Sequence, residues 1–382
     1  MHPTRYVNLD AARLRHGDAV DRHGAWLLVG DPAADAVAAA LAERPHAERA
    51  AILDRAARGR AEVRIPALDA LIREASTPPP WVEPERLERG AAAFVRMGAP
   101  AGIVLGCVSL VTGYCSPGGN KPLIFTGRLE AGVQRRLAET SRFVQAVTAA
   151  GGMRPGREGW RSALFVRMMH AGVRRMLLAS PKWRSNDWGV PINAFDSAGT
   201  ILLFSLVLMD GCDRLGVTLR SHERADLLHL WRWIGCVMGV PEPLLFSDEA
   251  GARAFWDVLS LTQGAPDDDA RALAHALLDG ALGPPGTDVR ARLRARALKG
   301  LGWAVTRRAL DPALTAALAP PPPDRWDSVL ERMAGVNRVV TATPLLARPR
   351  YEAGVRYWDE AVRAGLAGRP ADFAMPGRVA HA

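Results

Sequence analysis

Cysteine is scarce in this chain of 382 residues. There are four, Cys107, Cys115, Cys212 and Cys236, and none form a C-x-x-C pair. They offer no disulfide framework. The opening "MHPTRYVNLDAARLRHGDAV" has no charged-then-apolar leader, so reduced thiols in a cytoplasmic protein are expected. Long hydrophobic runs are missing too. "AGIVLGCVSLVTGYC" and "ILLFSLVLM" fall short of the ~20 apolar residues that a membrane span needs, and they are expected to be buried core helices. No stretch alternates Val, Ile and Thr between hairpin turns, so strands are not expected. No phosphate-binding glycine loop, H-E-x-x-H pair or G-x-S-x-G elbow occurs, which excludes the commonest nucleotide, zinc-protease and serine-hydrolase chemistries.

Apolar residues make up 48% and charged residues 23%, enough for a sizeable core and too apolar for wholesale disorder. The net charge of +9 favours an anionic partner. However, Arg far outnumbers Lys, and "RARLRARALK" (290–299) scatters its arginines around a helix, so a solvated face and no nucleic-acid partner is expected. Proline clusters at 76–84 and 319–326 must end helices. Between them, helical patterns alternate with short Gly/Pro/Asp loops, at about 85–97, 101–112, 128–149, 159–179, 196–214, 221–238, 248–263, 267–281 and 287–309. The expected fold is all-α: a single large helical domain at 78–318, with helical extensions at 1–77 and 319–382. "DDDAR" (267–271) reads as a helix cap, and His222 and His229 lack a third ligand for zinc.

The stretch "FVRMMHAGVRRMLL" (165–178) places one histidine in an apolar, Met-rich helix. Residues three and four apart share a helical face, so His170 keeps company with Val166, Arg167, Val173 and Arg174. Burial and two nearby guanidinium charges disfavour imidazolium, and a neutral imidazole offers the lone pair that heme iron takes from a proximal ligand. Arg167 and Arg174 are then candidates to neutralise two heme propionates. On this segment alone, a hydrogen-bonded core histidine or a solvent-facing one is the commoner account of the pattern.

Upstream, "RRLAETSRFV" (135–144) sets Arg136, Glu139 and Thr140 on one helical face. Downstream lie "WGVPINAFDSAGTILLFS" (188–205) and "SHERADLLHLWRWIGCVMGVPEPLL" (221–245). This ordered set, over roughly residues 80–280, resembles the bacterial latex clearing proteins and the wider MpaB-type oxygenases, helical proteins that bind heme b. The resemblance implies that His170 is the proximal iron ligand. It also implies that Arg136 and Thr140 match the distal Arg-x-x-Lys-Thr pattern of the latex-cleaving members, where Glu139 replaces the lysine. "SPGGNKPLIFTGR" offers no acidic counterpart to the catalytic base of those members. The expectation is an intracellular heme b enzyme that oxidises a small metabolite with O2 or H2O2 and does not cleave rubber. Glu139 would shuttle a proton and Arg136 would stabilise developing negative charge, and an ion pair between Glu139 and a neighbouring arginine is an equal alternative. The rivals are a heme-dependent rearrangement enzyme and a basic, Trp-rich binding protein for an acidic partner. A thiolate-ligated P450 does not fit, because neither Cys212 nor Cys236 follows a Phe-x-x-Gly loop.

Overall fold

A computed structural model describes residues 2–59, 64–126, 133–280 and 289–366. Among them are twenty α-helices, three 3₁₀ turns, one π turn and no strand. The protein is all-α. The start of the helical pattern expected at 128–149 lies partly outside the described residues.

A 31-residue helical stretch through the core begins at helix Pro84–Val104. Its first residue is a proline, placed where the missing N–H costs nothing. Gly98 breaks the helix with φ 54°, a left-handed conformation natural to glycine, just before Pro100. The C-terminal helix Ala347–Leu366 runs along the kinked helix, and a Cβ on Gly354 would sit 1.9 Å from the Val95 carbonyl oxygen. That close crossing holds the C-terminal helix in the main core. The chain continues through a π turn, Leu105–Ser109, to the short helix Leu110–Tyr114.

The two apolar runs lie within helices longer than the runs themselves. Helical stretches Pro84–Tyr114 and Ala194–Arg214 are long and apolar enough to cross a membrane, because helix continues beyond each run. Half of the most apolar window in the first, and 67% in the second, is buried inside the protein. Core packing accounts for their composition.

Three elements position the site. Helix Val133–Val147 packs against helix Glu158–Leu178, and Ala347–Leu366 lies over Val133–Val147. On its other side, Glu158–Leu178 meets the N-terminal helix Pro32–Ala40, capped by Asp31, whose Oδ1 accepts the Ala34 N–H at 3.1 Å. Ala34, Val37 and Leu41 share an apolar cluster with Met168 and Ala171.

Candidate functional site

One large cavity opens where these helices meet helix Ala194–Phe204. Its empty volume, including the open mouth, is about 1650 Å³. Along Val133–Val147, Arg136, Glu139, Thr140 and Phe143 face it, the i, i+3, i+4, i+7 stripe of a helix. Along Glu158–Leu178, Val166, Met169, His170 and Val173 do the same. The structure therefore brings His170 into one chamber with Arg136, Glu139 and Thr140, whose helix it packs against.

Arg167 and Arg174, the propionate candidates, are placed elsewhere: neither lines this cavity. Arg167 is 3% exposed and makes a two-pronged ion pair to Asp31, Nε to Oδ2 at 2.6 Å and Nη2 to Oδ1 at 3.0 Å. It also donates to Glu74 Oε1 at 3.1 Å. Arg174 donates to Asp35 at 2.9 Å and to the Ile192 carbonyl at 2.8 Å. The reason is rotational. With about 100° per residue, the neighbours at i−4 and i+3 flank His170 on one side, and those at i−3 and i+4 flank it on the other. The helix turns Val166 and Val173 to the cavity, and Arg167 and Arg174 to the N-terminal helix. The carboxylates also offset the two charges that the sequence argument set against imidazolium.

Arg174 still serves the cavity indirectly. Ile192 lines the chamber with φ 51°, a strained conformation for a β-branched residue. The Arg174 guanidinium, itself buried, grips its carbonyl.

Glu139 is both a lining residue and an ion-pair partner: Arg135 Nε donates to its Oε1 at 3.0 Å. Among the described lining residues Arg136 is the one arginine or lysine, and its buried Nη1 has no hydrogen-bond partner among the described residues. Tyr114, 3% exposed, is a lining residue that sequence reasoning missed. Burial holds its phenol above the ordinary value, against the pull of the Arg136 charge. Asp196, Ser197 and Thr200 were missed as well, although they lie in the quoted stretch 188–205. A hydroxyl inside an Ala/Gly/Leu helix carries no signal of its own until the helix has a wall to form. Asp196 is tied down: Arg5 Nη2 reaches its two oxygens at 2.6 and 2.7 Å, and Asn193 Nδ2 donates to Oδ2 at 2.8 Å.

No cysteine lines the cavity, and burial pushes the Cys236 thiol up to about 11 and that of Cys212 further. Among the described residues no group of three His, Cys, Asp or Glu side chains is placed to hold a metal ion. The donor set here is one imidazole in a largely apolar chamber.

All-α architecture around a largely apolar chamber, with a single imidazole among its described lining residues, defines the class. Residues 95–340 match the family described as ER-bound oxygenase mpaB/B'/Rubber oxygenase, catalytic domain, and the chain belongs to that family. It is similar to the rubber oxygenase of Streptomyces sp. (strain K30), 25% identical over 166 residues. That match covers 43% of this chain and 40% of the relative, so the chain spans less than half of the relative's length in it. The solved structure of latex clearing protein LCP in the closed state superposes with a TM-score of 0.70 at 20% identity. It covers 87% of this chain and 90% of that one, a likeness of fold.

Proposed function

We propose that this protein is a heme b-dependent oxygenase or peroxygenase that oxidises a small organic molecule with O2 or H2O2. The observation that carries the reading is the meeting of His170 with Arg136, Glu139 and Thr140 in one apolar cavity of a chain from an oxygenase family. The chamber fits the cofactor by its donors. A macrocycle brings four nitrogens of its own, so a single protein imidazole suffices, and no second metal-binding side chain is required. His170 would hold the iron. Heme b, when bound, supplies a redox-active centre that passes electrons to the oxidant.

The rest falls to the chain. Phe143, Val166, Val173 and Trp231 line the chamber with apolar surface and keep water from the reacting atoms. Arg136 Nη1, a buried cationic donor with no partner of its own, meets negative charge as it develops on the oxidant. Glu139, steadied at Oε1 by Arg135, takes up a proton and returns it within the cavity. Thr140 adds a hydroxyl that can donate or accept beside it. With a carboxylate standing where the latex-cleaving members carry lysine, the charge beside the reacting oxygen is of opposite sign, and polyisoprene is not the substrate.

The test offers hemin-loaded protein polyisoprene latex, and separately a panel of compact aromatic alcohols and amides, with O2 or H2O2. Products of the panel heavier by oxygen are expected, and the latex should stay intact. Carbonyl-ended isoprenoid oligomers would contradict the substrate assignment, and products of unchanged composition would contradict oxygenation.

A further inference from the structure

We infer that the substrate carries a neutral N–H or O–H donor, and that the Asp196–Ser197–Thr200 row of helix Ala194–Phe204 selects it. The inference rests on the reading of the cavity as an oxidation chamber and deepens it by naming what the wall recognises.

The row has three lining residues, and the hydrogens of both hydroxyls are already committed. Ser197 Oγ donates to the Asn193 carbonyl at 2.8 Å, and Thr200 Oγ1 donates to the Asp196 carbonyl at 2.8 Å. What each hydroxyl has left is lone pairs. The Asp196 carboxylate is an acceptor by nature. Arg5 and Asn193 leave it further capacity, since a carboxylate accepts at about four positions. The wall therefore presents acceptors only. Asp196 and Ser197 are half-buried and Thr200 is exposed, so the row runs outward along the chamber.

A hydrocarbon against this wall leaves those acceptors dehydrated and unmatched, which works against binding. A hydroxyl or amide N–H satisfies them. An ammonium gains little more, because Arg5, 7% exposed and not a lining residue, already neutralises Asp196 from behind. Anions are turned away by the row and drawn towards Arg136, the cation of the lining. The substrate that fits is compact and apolar, with a neutral alcohol, phenol or amide group on one end.

Near-isosteric probes make this testable: benzyl alcohol as neutral donor, ethylbenzene with no donor, and benzylamine as the cation at neutral pH. Their affinities are measured by calorimetric titration of the wild type, Ser197→Ala and Thr200→Val, with and without hemin. Thr200→Val keeps shape at an exposed position, so it reports even if Ser197→Ala folds poorly. Each variant should bind benzyl alcohol about five-fold more weakly, one hydrogen bond's worth, with ethylbenzene bound no more weakly than by the wild type. Benzylamine should bind no better than benzyl alcohol. Equal losses for benzyl alcohol and ethylbenzene, no loss for either, or a clear preference for benzylamine would each overturn the assignment. A protein that takes up no hemin yet keeps the donor preference would defeat the heme reading and leave this one standing.

Discussion

At the scale of single residues, Glu139 separates chemistry from cofactor binding. Glu139→Gln keeps size and an acceptor for Arg135 but loses the proton-carrying carboxylate. It is expected to retain heme and lose about 10²–10⁴-fold in turnover, the usual scale of general acid–base catalysis. Wild-type turnover would reduce Glu139 to the partner of Arg135. His229 makes a prediction of another kind. It is 4% exposed, and its Nε2 accepts the Glu83 N–H at 3.1 Å, a bond open only to neutral imidazole. Desolvation is the main cause that lowers its pKa from 6.5 to about 4. Arg86 and Arg232 add to the shift, and Glu83 and Asp226 oppose it. The unfolded chain thus takes up a proton that the folded chain refuses. Stability contributed by His229 is present above 6.5 and is lost as the pH falls towards 4. His229→Gln keeps an acceptor and does not titrate, so its urea midpoint should fall less than that of the wild type between about pH 7 and 4.5. Parallel declines would rule His229 out as the cause.

At the scale of elements, the ion pairs across helix Glu158–Leu178 explain why an N-terminal helix belongs to the site. Asp31→Ala leaves the buried Arg167 with Glu74 as its remaining carboxylate. A cost of about 3 kcal/mol is expected, the low end for breaking a buried pair. Urea unfolding should register it while heme uptake in native buffer persists, because neither residue lines the cavity. An Arg167→Met variant that folds normally and takes up no hemin would put Arg167 back at the cofactor. These elements also mark the limits of what the sequence discloses. The helices and the stripe Arg136–Glu139–Thr140 were legible, because a period of 3.6 fixes which residues share a face. Which shoulder of His170 turns inwards was not legible. That depends on a partner helix more than a hundred residues away in sequence, and on Asp31 and Asp35, which look like ordinary helix-start acids. The cap read from "DDDAR" appears as the Asp267 Oδ1 bond to the Ala270 N–H at 2.9 Å. The same aspartates also hold Lys121 at 2.9 and 2.5 Å, a tertiary contact with no local signature.

At the scale of the whole molecule, helices near both ends of the described chain flank the two helices that carry the site. The N-terminal helix buttresses the back of the His170 helix, and the C-terminal helix covers the Glu139 helix. The cavity is the space these layers leave around the His170 imidazole, where the proposed function has heme bound. The most direct measurement is the heme content and visible spectrum of the purified, hemin-supplied protein beside His170→Ala. A Soret band with about one heme per chain is expected in the wild type. The mutant should be largely colourless with a lower Tm, because a ligand that binds only the folded state stabilises it. A mutant with full heme content and an unchanged spectrum would contradict the account.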